Sequence, residues 1–597
     1  MLSRTAYSTP AILSTATALL SRTPRPCIAA KWLRSRGFTS APPAEPIPLR
    51  KHLKDEAKRR KAEEKSGKKK SSVVDTRLEK WELTVGIEVH AELNTSRKLF
   101  SSAAATAEES NVLPNSRVAL FDAAMPGSQP QFQPATLIPA LRAALALGCT
   151  IQRTSRWDRK HYFHWDQPNG YQITQFYEPF AKDGVLRVGA DDGVPAGDLN
   201  GADSLNIGIK QVQMEQDTAK TTQVPPSTYH IDLNRAGHPL IEIITLPHIH
   251  SPQTAAAVVR KIQGVLKSVD ACVTGMELGG LRADVNVSVR QRGTHGTSSY
   301  SGVTGLGQRT EIKNLSSFAA VENAIVAERD RQIAVLEAGG VIEGETRGWT
   351  LGATETTLLR GKEGEVDYRY MPDADLPPLI IGSDLVRHLE ETLPELPDKT
   401  TERVQAQYGL SKKDAMTIVS LDDGERLEFL EEVVDLLRAR VGAQGDEASQ
   451  LGRLAGNWVI HELGGLLTTT DMEWQNVAIT AAELADLLSH LHTKQITSRT
   501  AKQLLRTIHE LPPTVERPSV EQLIDEGGLR LRPLSEEGYV ALAESVLSES
   551  PQVVAAVKEK GQKGKVMWLV GQMMRLGEEG TVEPQKAKEV MQKLLGI

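Results

Sequence analysis

The chain has 597 residues, of which 40% are hydrophobic and 24% charged, with a formal net charge of -6. That length exceeds a single core and fits three or four domains, and no apolar run approaches the roughly 20 residues that span a bilayer. The near balance of charge gives no global field for nucleic acid, so an RNA partner has to be met by a local basic patch.

The first 44 residues carry Arg4, Arg22, Arg25, Lys31, Arg34 and Arg36 among many Ser, Thr and Ala, with no acid before Glu45. This is the make-up of a mitochondrial transit peptide on residues 1–44. Residues 45–79 hold the mixed but mainly basic run "KHLKDEAKRRKAEEKSGKKK", which reads as a solvated linker. From 80 to 382 short alternating strands mix with a few helices. In "TVGIEVHAEL" (84–93), Ile87, Val89, Ala91 and Leu93 share one face and Glu88, His90 and Glu92 the other. "QVQMEQD" (211–217) places Gln211, Gln213, Glu215 and Asp217 together, and "SPQTAAAVVRKIQGVLKSV" (251–269) reads as a helix opened by Ser-Pro. "RADVNVSVR" (282–290) sets Arg282, Asp284, Asn286, Ser288 and Arg290 opposite its valines. "GLGQRT" (305–310) reads as a hairpin loop, "RTEIK" (309–313) groups Arg309, Glu311 and Lys313, and residues 317–340 form a helix ending at a Gly pair. "DYRY" (367–370) adds Asp367 and Arg369. These strands do not alternate regularly with helices, so the expected class is α+β with a largely antiparallel sheet.

Pro-rich breaks at 372–379 and 393–399 close that domain. Residues 383–445 read as a helical connector and 446–597 as a helical tail domain, with periodicity in 426–441, 453–467, 565–576 and 583–595. Their apolar stripes, Met573 and Met574 included, read as helix core. Cys27, Cys149 and Cys272 are the three cysteines, and with no C-x-x-C pair they make neither a disulfide framework nor a zinc knuckle. Cys149 and Cys272 read as buried, inert thiols.

The polar strand faces carry the chemistry. A merely wet face is rich in Lys, Glu and Thr, whereas these hold Asp, Asn, His, Ser and Arg, suited to metal coordination and anion clamping. Carboxylates with one imidazole are hard donors that favour magnesium or manganese over zinc, and nearby cations suit phosphates, because phosphoryl transfer rests on positioning and charge neutralisation. No P-loop, dinucleotide fingerprint, kinase motif set, nucleophile elbow or glutaminase cysteine signature is present.

Seven stretches in order, "VGIEVHAELNTSRKLFS", "KHYFHWDQPNGYQITQ", "IDLNRAGHPLIEIIT", "GLRADVNVSVR", "RTEIKNLSSFAAVENAI", "GETRGW" and "VDYRYMPDADLPPL", closely resemble the B subunit of the aspartyl/glutamyl-tRNA amidotransferase family. The tail resembles the family's YqeY-like domain. The resemblance implies a cradle similar in fold to glutamine synthetase and guanidino kinases. It also implies a carbon–nitrogen ligase activity in which ATP and Mg2+ serve to phosphorylate the side-chain carboxylate of Glu-tRNA(Gln), and ammonia then gives Gln-tRNA(Gln). The partners implied are an amidase (A) subunit that makes ammonia from glutamine, a small third subunit (C-type or fungal F-type) and the tRNA, in the mitochondrial matrix. By the same resemblance the metal ligands are Glu88, His90 and Glu215, with Asp284 as the next carboxylate candidate; Lys313, from its charge and strand face, is a further catalytic candidate. Arg282, Arg290, Lys313 and Arg369 are chosen as phosphate clamps from charge and strand face. This chain departs from the family's H-x-E-E-D pattern at "QMEQD", where Gln213 and Gln216 replace His and Glu, leaving Glu215 or Asp217 to supply the carboxylate. The loop "MPGSQPQFQ" (125–133) departs too, and the cysteines that bind zinc in many relatives are absent. An alternative reading, motivated by "QMEQD", is a noncatalytic tRNA-binding and assembly subunit; a free-standing metal hydrolase leaves the helical half unexplained.

Overall fold

The computed structural model describes residues 77–596 apart from 106–111, 273, 301, 351, 362–367, 444, 512–516, 533, 559–562 and 578–580. The transit peptide, nearly all of the basic linker, and Asp367 therefore lie outside the described residues.

A nine-stranded sheet organises the first domain. In chain order its strands are β1 (Trp81–Glu92), β2 (Thr150–Ile151), β3 (Ala181–Gly189), β4 (Ser204–Gln216), β5 (Pro239–Thr245), β6 (Leu281–Gln291), β7 (Arg309–Leu315), β8 (Glu345–Gly348) and β9 (Thr357–Gly361). Their spatial order is β9-β8-β7-β6-β1-β5-β4-β3-β2. The strand that comes first in the chain thus lies at the centre, antiparallel to both β5 and β6. Within this sheet only β7 and β8 run parallel, and that pair is the one joined by a long crossover helix, as a parallel connection requires. The expected antiparallel α+β domain is therefore what the chain builds.

Three of the longer helices among the described residues pack in this domain: α1 (Leu137–Ala146), α2 (Pro252–Ser268) and α3 (Phe318–Glu337). Ser251 caps α2 by accepting from the Thr254 N–H at 3.2 Å, and Ser317 caps α3 through the Ala320 N–H at 3.1 Å. The Gly pair ends α3 as its sequence implies: Gly339 takes φ 77°, and the Gly340 N–H returns to the Val335 carbonyl at 2.9 Å. Helix α2 packs on α3 and β1, and α3 on β6. They cover the apolar strand face, where Val85, Ile87, Val89, Ala91, Val285 and Val287 are fully buried.

The opposite face is roofed at two places. A hairpin of Ser298–Tyr300 and Val303–Leu306 lies over the start of β1, where Gly86 leaves room: a Cβ there would stand 2.4 Å from the Tyr300 ring. Gly305 and Leu306 lie in that hairpin's second strand, so "GLGQRT" is the join into β7 rather than a loop. Over the C-terminal end of β4 runs a three-stranded sheet of Tyr171–Thr174, Asp158–His161 and Met371–Pro372. It is fastened by side chains, since β3 pairs with β4 only as far as Val212. Beyond that point the Met214 N–H donates to Gln175 and the Ile173 N–H to Gln216, both at 3.0 Å.

Past the Pro-rich breaks the chain is helical, with one cluster of buried side chains from Val404 to Ile524 and another from Tyr539 to Leu595. The helical periodicity read over 453–467 is borne out within a run from Asp446 to Thr470, whose residues Trp458–Leu463 take a π-helical turn between Asp446–Asn457 and Gly464–Thr470. Met573 is fully buried in the last cluster and Met574 packs against it. Lys261 of α2 bridges Asp192 at 3.0 Å and Asp398 at 2.7 Å, tying the sheet domain to the first helix of the helical half, Pro397–Tyr408. No helix among the described residues is long and apolar enough to cross a membrane.

Candidate active site

Strand register assembles the site. His90 on β1 stands opposite Glu242 on β5, and Glu242 stands opposite Gln213 on β4. Glu215 lies two residues further along β4, on the same face and at the diagonal position that longer side chains reach. The ligand atoms of His90, Glu215 and Glu242 consequently all fall within 4.8 Å of one another. One imidazole and two carboxylates are a hard donor set of the kind magnesium or manganese takes. Burial holds the His90 imidazole below its ordinary pKa, which keeps it neutral and able to ligate. Glu242 is pushed up to about 7 by burial and then by the neighbouring Glu215 charge. Two buried carboxylates crowded in this way are relieved by a bound cation, so the residues present fit a divalent metal.

Lys160, from the roofing strand Asp158–His161, sets its Nζ 3.4 Å from both Glu215 oxygens. Burial works against its charge, but Glu215, helped by Glu242, holds its pKa well above the ordinary lysine value. Gln213 donates from Nε2 to Glu242 Oε2 at 2.8 Å and accepts from Gln211 at 2.6 Å. Gln216 points instead into the roof, and Asp217 receives both of its 3.0 Å bonds from Arg282 Nη2. Of the five residues of "QMEQD", Glu215 is therefore the one in the triad.

The remaining sequence candidates divide by position. Glu88 lies on the same face as His90 but outside the triad; its Oε1 accepts from Asn286 Nδ2 at 2.9 Å and the Tyr300 hydroxyl at 3.0 Å. Burial raises its pKa, with Glu242 and Glu311 adding to the effect. Asp284, opposite Glu88 across β1 and β6, pairs with Lys313 at 3.1 Å, and Lys313 also meets Glu311 at 2.8 Å. Although burial opposes it, the Lys313 charge and the Asn314 N–H hold Asp284 below the usual carboxylate range. Arg290 is not brought to this cluster. It stands six residues from Asp284, roughly 20 Å along the strand, bonded to Glu82 at 2.8 Å and to the Gly305 carbonyl at 2.5 Å. Arg369 is exposed, in an irregular segment rather than a strand, and its carbonyl meets His161 Nδ1 at 2.9 Å.

Sequence reasoning missed Glu242 and Lys160. The available signal for Glu242 was a lone acid inside the apolar run "PLIEIIT" (239–245); a charge is rarely buried in such a strand without a task.

Residues 83–387, the whole sheet domain with its site, match the GatB/GatE catalytic domain, and residues 444–595 match the GatB domain. The chain belongs to the GatB family. Among its relatives, the B subunit of the mitochondrial glutamyl-tRNA(Gln) amidotransferase of Aspergillus fumigatus is 55% identical over 579 residues, 96% of this chain and 94% of the relative. The proteins of the same name from Talaromyces marneffei and Aspergillus oryzae are 58% and 57% identical, over 93% and 92% of this chain and 92% and 91% of their own lengths. As a GatB-family amidotransferase subunit, the chain carries its triad inside the family's catalytic domain.

Proposed function

We propose that this subunit activates the side-chain carboxylate of Glu-tRNA(Gln) by ATP-dependent phosphorylation and then directs ammonia onto it, giving Gln-tRNA(Gln). The observation that carries the reading is the convergence of His90, Glu215 and Glu242 on one strand face within the matched domain. These three residues would hold Mg2+, which supplies charge neutralisation for phosphoryl transfer. Neutral His90 contributes a lone pair without adding charge. Lys160 balances Glu215, while Lys313 and Arg282 supply fixed positive charge on the same face, the former through Asp284 and the latter through Asp217. Phosphoryl transfer needs that alternation of carboxylate and cation, since little of its catalysis is covalent. The relatives are named as mitochondrial and as one subunit of an amidotransferase, which supports a multi-subunit assembly. Its other members would be an amidase subunit that releases ammonia and a small third subunit, C-type or fungal F-type, in the mitochondrial matrix. The helical half would hold the tRNA.

The test is ATP hydrolysis by the purified complex with Mg2+ and glutamine, comparing uncharged tRNA with Glu-tRNA(Gln). Stimulation is expected to require the glutamyl group, to vanish in Glu215→Ala and to survive in Gln216→Ala. Glu88→Gln is expected to abolish Gln-tRNA formation while leaving tRNA binding intact; unchanged turnover removes Glu88 from the site. Absence of stimulation in the unmodified complex, with tRNA still bound, would make the chain a noncatalytic tRNA-binding subunit.

A further inference from the structure

Beside the triad stands a group of aromatic rings that no step above uses. Phe176 and Tyr370 stack face to face, with centroids 4.0 Å apart and planes 8° from parallel. Tyr177 meets them edge-on at 5.0 and 6.2 Å, and Tyr368 meets Tyr370 edge-on at 5.8 Å. Although gathered together, the rings are not sealed: Phe176 is 40% and Tyr177 58% exposed. A cluster whose task is to fill a core does not leave its largest apolar surfaces in water.

The group adjoins the charged site. Lys160, which contacts Glu215, places its Nζ 5.3 Å from the centroid of the Tyr368 ring. Burial raises the Tyr370 hydroxyl pKa and the fields of Glu215 and Glu242 add to it, against the pull of Lys160. The rings are also held in place. Arg369, between the two tyrosines, takes φ 46°, in the left-handed region that a side chain with a Cβ seldom adopts. Two bonds pin that turn: the His161 N–H to the Tyr368 carbonyl at 2.8 Å, and His161 Nδ1 with the Arg369 carbonyl at 2.9 Å. On the other side the Tyr177 N–H donates to Asp158 Oδ2 at 3.0 Å. A rigid, exposed aromatic face beside cations and metal ligands has the two halves of a nucleotide site, a surface for the base and charge for what the base is attached to.

We propose that Phe176, Tyr177 and Tyr370 form a stacking platform for an adenine base whose attached group reaches the triad. The choice of adenine rests on the activity proposed above, which offers two sources: ATP and the 3′-terminal adenosine of the aminoacylated tRNA. Both present the same flat ring, and binding separates them.

The experiment uses the complex with its partner subunits and reads dissociation constants in two arms. One is ATP with Mg2+; the other compares tRNA(Gln) with and without its terminal adenosine. Loss of one base stack corresponds to about 5- to 100-fold in affinity. Phe176→Ala and Tyr177→Ala are expected to produce that loss in one arm, and Phe176→Trp to restore it. Tyr229→Ala, an exposed ring packed at a tilt against Trp165, serves as a control with no change. A loss in the ATP arm identifies the base as that of ATP, and loss of preference for the complete tRNA end identifies the terminal adenosine. Wild-type affinities in both arms of the alanine variants, an unmodified complex that binds neither source of adenine, or a loss that Phe176→Trp does not restore, would overturn the platform. If the binding losses appear while tRNA-dependent ATP hydrolysis is absent from the unmodified complex, the activity falls and the platform stands.

Discussion

Replacing Glu242 by Gln should make the metal-free protein more stable at pH 8 and at the same time weaken the Mg2+ binding proposed for the triad. Glu242 rises from 4.5 to about 7 in the folded protein, chiefly through burial. A rise of that size corresponds to about 3 kcal/mol. The sign follows from linkage: a carboxyl whose folded pKa is raised leaves stability untouched below 4.5, erodes it as pH climbs toward 7, and imposes the whole penalty above that. Glutamine is neutral throughout, and its amide oxygen can still accept the 2.8 Å bond from Gln213. Amide exchange in β4 and β5, compared at matched pH, should therefore slow by up to about two orders of magnitude in Glu242→Gln at pH 8 and not at pH 5. Metal titration gives the other half. Only the ionised carboxyl ligates, so the affinity of the unmodified protein should fall by nearly tenfold per pH unit below about 7, and the variant should bind weakly at every pH. Faster exchange in the variant at pH 8, or an affinity for Mg2+ that ignores pH, would refute the account of Glu242 as a crowded, buried ligand.

Lys98 and Asp122 form a 3.0 Å ion pair with side chains 0% and 1% exposed, and Asp122 also accepts from Ser101 and the Ala119 N–H. Lys98→Met should cost about 3 to 5 kcal/mol in urea unfolding, because it strands a buried charge, and Lys98→Met combined with Asp122→Leu should recover most of it. Burial pushes the thiols of Cys149 and Cys272 up to about 12. Both should resist maleimide in the native protein at pH 8 and react once it is unfolded; native labelling of either would contradict that burial.

Period-two patterning made much of the sheet legible. In β1 and β6 the apolar residues alternate so regularly that facing directions, and with them Glu88, His90 and Asp284, could be read before any pairing was known. The two capped helices were equally plain, α2 from its Ser-Pro start and α3 from the Gly pair beyond it. What stayed hidden depended on neighbours distant in sequence. Glu242 is embedded in an apolar strand, so its own surroundings proclaim core, and only β1 and β4 on either side bring it beside His90 and Glu215. Arg290 had the correct face but lay too far along its strand, a distance that alternation cannot measure. The π-turn at Trp458–Leu463 was likewise invisible, since apolar spacing does not distinguish it from one continuous helix.

The central position of β1 has a consequence for how the chain acquires its structure. Glu88 and its partner Asn286 are 198 residues apart in sequence, and the Ile87–Thr245 bond closes a span of 158. A chain that emerges N-terminus first therefore holds its central strand without a partner until about two fifths of its length has appeared. Such long closures slow folding and leave unpaired edges open to aggregation. The segment that carries His90 thus leaves the synthesising machinery long before its partner strands do, which makes it a natural client segment for a holding chaperone.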